Sequence, residues 1–320
     1  MKGAVDSARR CDTLSRLRMP PKLLKGHVAL AAVQVLFALF PVFGKMAFEP
    51  GAFTPFSITA WRIVFGSASL LGAAFLIHGR QALPRLSDLP ILFVCSFLGV
   101  TANMVLYLEG LSRSTATNAG LMMCLIPVFT FVIAAAARQE TFHAARAFGV
   151  LVALGGAVML RWTGDPDLTG EHALGNGLMV LNTLSYSIYL VVSRPVLARI
   201  PPLALIAWVF VLALPFVPFF VHGEAIVPET SARAWWALAF ILVFPTSLAY
   251  LLNAWALSRL RASTTAMYVY VQPLITGVAS RFWLGERLTR GTIASASCIF
   301  LGLWLVARRT RVEEPVRAET

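Results

Sequence analysis

Apolar residues dominate this chain in long runs, and polar residues gather in the short stretches between them. Ten runs approach the roughly 20 residues that an α-helix needs to cross a bilayer. They cover 27–47, 56–77, 88–110, 116–137, 143–161, 173–193, 203–222, 234–256, 263–284 and 290–307, and are called segments 1 to 10. The connections are short and carry Pro, Gly or charge, which leaves no room for a sizeable water-soluble domain. The pattern predicts an all-α integral membrane protein with ten transmembrane helices.

Composition points the same way. The chain is 58% hydrophobic and only 13% charged, against about 25% charged in a soluble domain. A formal net charge of +12 would ordinarily raise nucleic acid as a partner. Its placement argues against that. Seven Lys/Arg lie between Lys2 and Lys25, and four follow Val306. Basic flanks beside membrane spans set orientation and meet anionic headgroups. With the N-terminus in the cytoplasm, nineteen Lys/Arg fall on the inner side and five on the outer side: Arg113, Arg161, Arg233, Arg287 and Arg290. Asp165, Asp167 and Glu171 make the 161–173 connection acidic. Both termini are therefore expected inside. Lys is rare beside Arg, as in GC-rich bacterial genomes, so a bacterial inner membrane is the expected location.

The basic arm does not read as a secretory signal, because the apolar run after Gly26 continues to about Phe48 without a small-residue cleavage pattern. Cys95, Cys124 and Cys298 lie in apolar runs and Cys11 in the arm. No CxxC or Cys/His spacing occurs, so they read as packing residues, with no disulfide framework and no metal site expected.

One pattern occurs twice. Leu111-Ser112-Arg113, Pro127 and Glu140 recur as Leu257-Ser258-Arg259, Pro273 and Glu286, at a constant offset of 146 residues. Pro55 and Pro201, and Arg62 and Trp208, share that offset, whereas Lys45 and Arg194 lie 149 apart. Five spans per half is an odd number, so the second half enters the membrane inverted relative to the first. The expected organisation is an arm at 1–26, repeats at 27–161 and 173–307, and a tail at 308–320.

These residues resemble the EamA-type transporters of the drug/metabolite transporter superfamily. The first copy reads LSRSTATNAGLMMCLIPVF, then Glu140, then GVLVALGGAVML from Gly149. The second reads LSRLRASTTAMYVYVQPLI, then GERLTRG from Gly285, then FLGLWLV from Phe300. The resemblance spans roughly residues 27–307. Gly156 recurs as Gly302, but Gly149 becomes Ser295, and Phe40-Pro41 stands where the family often has Trp-Gly. The resemblance implies a transporter without naming its cargo. Members export amino acids and related metabolites, move sugar-phosphate-like or nucleotide-sugar compounds, or expel toxic cations.

Polar side chains at membrane depth usually face a bundle interior or a cavity. In segment 6, Asn182, Ser185, Tyr186, Tyr189 and Ser193 form one helical stripe, as do Thr246, Tyr250 and Asn253 in segment 8. Asn103 and Tyr107 do so in segment 3. Segment 1 adds Gln34, and segment 9 adds Tyr268, Tyr270 and Gln272. Tyrosine offers an apolar face and a hydroxyl, which suits an amphipathic metabolite. The same stripes could equally serve helix-to-helix hydrogen bonding. Arg62 either holds a substrate carboxylate or snorkels to the interface. Lys45 reads as an interfacial anchor, and Glu109 with Arg113 as an i,i+4 pair. Glu140 and Glu286 read as caps or gate partners for nearby Arg.

Helix breaks in matching positions mark gating points or tolerated kinks: Pro127 with Pro273, and Gly99 with Pro245. Gly149, Ala153 and Ala157, and Ala294, Cys298 and Gly302, form small-residue stripes. They suit close packing within a monomer or a homodimer contact. No Asp or Glu lies mid-span, which favours gradient-driven export or exchange over a buried proton relay; Glu109 is the one candidate that could overturn this. The expected activity is alternating-access transport of a small metabolite, an amino acid or related amphipathic compound. Efflux of toxic drug-like compounds is the alternative, and a polytopic sensor or scaffold a further one. An enzyme would need a nucleophile, an acid pair or a metal cluster at depth, but His27, His78, His143, His172 and His222 all sit at span ends or in connections. No catalytic residue and no cofactor is expected. The partners are the bilayer and a small-molecule substrate.

Overall fold

The computed structural model describes residues 21–138, 144–159, 170–257, 268, 271–287 and 289–310. Among these residues all regular structure is helical. Segment 1 is α1 (Pro21–Ala47) and segment 2 is α2 (Pro55–His78). Segment 3 is α3 (Leu89–Ser96), a π-helical turn at Phe97–Thr101, and α4 (Ala102–Arg113). Segment 4 is α5 (Ala116–Met123) and α6 (Ile126–Ala136), and segment 5 is α7 (Ala144–Met159). Segment 6 is α8 (Gly170–Leu197), and segment 7 is α9 (Pro202–Val211) with α10 (Val217–Val221). Segment 8 is α11 (Ala232–Val243), a second π-helical turn at Phe244–Leu248, and α12 (Ala249–Leu257). Segments 9 and 10 supply α13 (Gln272–Trp283) and α14 (Arg290–Thr310).

Six stretches are long and apolar enough to cross a membrane: Lys25–Ala47, Pro55–Ala82, Leu86–Arg113, Ala116–Ala136, Pro202–Val221 and Ala232–Asn253. Segments 5 and 9 are described over only 16 and 12 helical residues. The helices of segments 6 and 10 run 28 and 21 residues but dilute their apolar character with Asn, Ser, Thr and Arg. The burial pattern is that of a protein solvated by lipid. Leu76, Phe219, Trp236 and Phe282 are exposed, while Gln34, Arg62, Asn182 and Thr246 are buried.

Local chemistry sets the helix starts. Thr54 caps α2 in a reciprocal box with Ser57, and Pro55 follows in the first turn, where its missing N–H costs nothing. Thr115 and Ser231 cap α5 and α11 by accepting from the Asn118 and Ala234 N–H groups.

The packing repeats the doubling of the sequence. Segment 5 packs on segment 10, segment 2 on segment 7, and segment 4 on segment 9. Segment 3 packs on segment 6, and its mate under a five-segment exchange is segment 8 on segment 1, which also occurs. Segment 4 on segment 6 and segment 9 on segment 1 form a further such pair. Two indole bonds obey the same rule. Trp61 Nε1 donates to Ile226 O at 2.9 Å, and Trp208 Nε1 donates to Ala82 O at 2.7 Å.

These indoles correct the register expected for the front of each half. Trp208 is equivalent to Trp61, not to Arg62, and the helix that starts at Pro55 matches the one that starts at Pro202, not Pro201. Two adjacent prolines, Pro201 and Pro202, made both registers fit the sequence. The two π turns share this shifted register, while α6 and α13, starting at Ile126 and Gln272, keep the 146-residue offset.

The small-residue stripes of segments 5 and 10 face each other within the chain. Gly156 lies against Cys298, and Gly302 against the backbone of Gly149 and Ala153; the side chain of Ala157 lies outside the described residues. A methyl group at Gly302 would sit 2.4 Å from the Ala153 nitrogen. Backbone cannot swing aside as a side chain can. Gly302→Ala is therefore expected to cost about 1–3 kcal/mol through overpacking, read as a lower melting temperature of the purified protein.

Candidate functional site

A buried cation sits at the centre of the bundle. Arg62, on α2, is 5% exposed. Its Nε donates to Thr246 Oγ1 at 3.0 Å, and its guanidinium carbon lies 4.4 Å from the centroid of the Phe40 ring. Thr246 lies near the middle of segment 8, inside the second π turn. Arg62 thus points into the bundle instead of snorkelling to an interface. Its Nη groups meet no acceptor among the described residues, and they are not sealed off.

Aromatic rings surround this charge. Phe40 stacks on Tyr107 with centroids 5.1 Å apart. Tyr250 meets Phe37 and Phe210 edge-on, each at 5.8 Å. Tyr186 and Tyr189 lie 5.4 Å apart on α8. Tyr107 is joined to Arg62 through the Phe40 ring that both contact. None of these four hydroxyls has a hydrogen-bond partner among the described residues, yet none is sealed off. A buried Tyr hydroxyl normally finds a partner. Four without one, around a cation with unspent donors, make a polar-lined aromatic box.

The helix breaks build this box. The π turn at Phe244–Leu248 brings Thr246 to Arg62. The π turn at Phe97–Thr101 contains Gly99, whose missing side chain admits the Tyr189 ring; a methyl there would lie 2.7 Å from ring carbons. Ser185 Oγ donates to the Leu98 carbonyl of that turn at 2.7 Å. Pro127 and Pro273 each occupy the second residue of a helix, α6 and α13. A proline there needs no N–H partner, so segment 4 is broken at Cys124–Leu125, not bent around Pro127.

Other polar residues singled out from the sequence bind helices to one another. Asn182 Nδ2 donates to Asn103 O at 2.7 Å, joining α8 to α4, and Asn182 Oδ1 is buried without a partner. Ser193 bonds its own helix at Leu190 O. Gln272 Nε2 donates to Gln34 Oε1 at 2.6 Å, joining α13 to α1. Tyr268 lies away from the box, its hydroxyl 2.8 Å from His27 Nδ1. Asn253 is partly buried one turn beyond Tyr250. Tyr270 and Glu140 lie outside the described residues. Removing one member of the glutamine pair strands the other. Gln34→Leu alone is expected to cost about 1–3 kcal/mol, and Gln34→Leu with Gln272→Leu clearly less, as a thermal-melting cycle would read.

At one end of the bundle, Glu286 caps α5 from the other half. It accepts from the Ala116 and Thr117 N–H groups at 2.7 and 3.0 Å and from Thr117 Oγ1 at 2.6 Å. Its partner is a helix N-terminus, where a carboxylate is favoured, not an arginine. Lys45 does not hang free nearby; its Nζ donates to Ser112 O at 3.2 Å. Glu109 pairs with Arg113 at 2.6 Å, and Arg199 with the buried Asp88 at 2.9 Å.

Sequence periodicity missed Phe37, Phe40 and Phe210, because a phenylalanine in an apolar run carries no marking of its own. Among the described residues no cluster of His, Cys, Asp or Glu could hold a metal ion.

Comparison with known proteins places this arrangement. The model of the EamA-like transporter family matches twice, over residues 24–162 and 173–308. The chain belongs to the EamA-like transporter family. It is accordingly a multi-pass membrane protein of two-repeat architecture. It is 25% identical to a protein of Streptantibioticus cattleyicolor named "Probable terminal-alkyne amino-acid exporter", over 78% of this chain and 82% of that one. A WAT1-related protein of Arabidopsis thaliana is 27% identical, over 87% and 80% respectively. An uncharacterized transporter of Archaeoglobus fulgidus is 23% identical over 89% of this chain and all (100%) of its own length. One crystal structure shares the fold, with a TM-score of 0.62 and 18% identity, covering 92% of this chain and 99% of that one. Both the family and these named relatives are transporters or transporter-related, not enzymes.

Proposed function

We propose that this EamA-family protein is a secondary transporter that exports or exchanges a small amphipathic metabolite, an amino acid or related compound, across a bacterial inner membrane. Ten spans form two inverted halves, 27–161 and 173–307, with both termini in the cytoplasm. The halves rock about the central box, which opens to each side in turn. Arg62, Tyr107, Tyr186, Tyr189 and Tyr250 contact the cargo there, with Asn253 at the edge. Asn103 and Asn182, Gln34 and Gln272, and Tyr268 with His27 make the contacts that rearrange around it. Gly99 and Pro245 in the π turns, and Pro127 and Pro273 at the helix breaks, are the flexing points.

The observation that carries this reading is Arg62. Arg62 lies about two turns into α2 and is buried within the bundle, and a charge at membrane depth is costly. A fold retains such a charge without an internal acid when a ligand makes use of it. The amino-acid exporter among the relatives favours a carboxylate-bearing cargo over a toxic cation.

Metabolite profiling of the medium from overexpressing and deletion strains tests the reading, followed by uptake of the identified compound in proteoliposomes. An exported compound that accumulates with overexpression supports it. Unchanged transport of that compound in Tyr186→Ala and Asn253→Ala would remove the box as its route. A reporter placing the 161–173 connection in the cytoplasm would remove the inverted arrangement.

A further inference from the structure

Resting on the transporter reading, and narrowing its cargo from amino acids to related compounds without a free ammonium group, we infer that the box selects a net organic anion: a carboxylate on an aromatic-sized apolar body. Four observations on the structure converge on this.

First, the donors are unspent. Arg62 has five N–H donors in a planar fork, and among the described residues only Nε is engaged, by Thr246. The Nη face is left for a planar bidentate acceptor, and a carboxylate fits that geometry. Thr246 fixes the fork from behind, and the Phe40 face steadies the cation without neutralising it.

Second, nothing nearby balances the charge. The acids among the described residues stand at helix ends and connections, most with partners of their own. Glu49 faces Arg233 and Ser231, Glu224 accepts from Thr54, Glu109 holds Arg113, Asp88 holds Arg199, and Glu286 caps α5. An α-amino acid brings an ammonium together with its carboxylate. That ammonium would lie in a site whose one fixed charge among the described residues is positive and whose buried surroundings screen it poorly. The orphan acceptor Asn182 Oδ1 offers no remedy, because it is sealed at the α4–α8 contact.

Third, Tyr107 stacks on the Phe40 ring that carries the guanidinium, and its hydroxyl, like that of Tyr250, has no partner among the described residues and can donate to a carboxylate or a carbonyl. Fourth, the rings of Phe37, Tyr186 and Tyr189 add partly or nearly buried aromatic surface to the box. They suit a flat apolar body and offer few partners to a sugar.

The test uses three compounds that share a skeleton and differ in charge: N-acetylphenylalanine (anion), phenylalanine (zwitterion) and phenylalaninol (cation). Each is titrated against the purified full-length protein in nanodiscs, with the melting temperature as readout. N-acetylphenylalanine is expected to stabilise the protein at least tenfold more potently than phenylalanine, and phenylalaninol to have no effect. Arg62→Gln is expected to abolish the response, and Thr246→Val to weaken it. The wild-type ranking decides the matter even if a variant fails to fold. Equal or stronger stabilisation by phenylalanine or phenylalaninol, or no response to any of the three, overturns the anion inference. The transporter reading is judged separately, by export of the cell's own metabolites. It stands if a zwitterion proves to be the cargo, and falls if nothing is exported.

Discussion

Arg62→Gln is expected to abolish transport while leaving the protein as stable as the wild type, or more so. The two halves of this expectation have different physical origins. The guanidinium is buried, bonded once to Thr246, and faced by no acid of the described residues. Removing a buried charge that has no internal counter-charge relieves desolvation and strands no partner ion. Glutamine can still donate toward Thr246, so the melting temperature should hold or rise. Cargo binding loses a charge-assisted bidentate contact. Truncating one side of such a buried pair costs about 2–5 kcal/mol, so a loss of roughly 30-fold or more in transport rate at low substrate is expected. A structural arginine would behave in the opposite way, with stability falling first. Paired melting and flux measurements on the same preparation separate the two. A destabilised variant that still transports its cargo would contradict the role given to Arg62.

The second large effect is expected at Gly99. A methyl group there would lie 2.7 Å from the Tyr189 ring, so Gly99→Ala must push the ring into the box or open the π turn. Overpacking of this kind costs about 1–3 kcal/mol. The displaced ring also occupies cargo space, so transport should fall by about tenfold. The effect is specific to one neighbour, which gives it a clean check. Tyr189→Val in the Gly99→Ala background should restore most of the lost stability, with a coupling of about 0.5–3 kcal/mol in a double-mutant cycle. Additive effects of the two substitutions would show that Gly99 serves the turn alone.

Much of the fold can be read from the chain because its two strongest signals are long. An apolar run of some twenty residues has few uses outside a bilayer, and three motif elements at one offset fix the two halves. Finer features are short and degenerate. Pro201-Pro202 allows two registers, and only the helix start at Pro202 and the Trp208 indole bond choose between them. The π turns carry no code of their own. Gly99 and Pro245 flagged the places, but the extra residue in each turn follows from packing against α8 and α2.

The site was legible to a similar depth. Periodicity on α8 and α12 marked Tyr186, Tyr189 and Tyr250 as inward-facing, because a polar stripe in an apolar helix turns away from lipid, and the structure buries all three wholly or in part. Spacing cannot distinguish an inward face that lines a cavity from one that meets another helix. Asn103 with Asn182 and Gln34 with Gln272 are of the second kind in this structure. Phe40 was invisible for the opposite reason. It is one of 22 phenylalanines, and only its place beneath Arg62 gives it meaning.

An anion leaving a cell that is negative inside moves down the electrical gradient. The membrane potential is worth about 2.3 kcal/mol per charge for each 100 mV, a concentration ratio of roughly 50-fold without any coupled proton. The most direct measurement loads proteoliposomes with small molecules from a cytoplasmic extract, imposes a potential negative inside, and identifies by mass spectrometry what emerges. One or a few carboxylates are expected to leave wild-type vesicles, faster as the potential is made more negative, and not to leave Arg62→Gln vesicles. An external medium that is the same for wild-type, Arg62→Gln and protein-free vesicles would contradict this expectation.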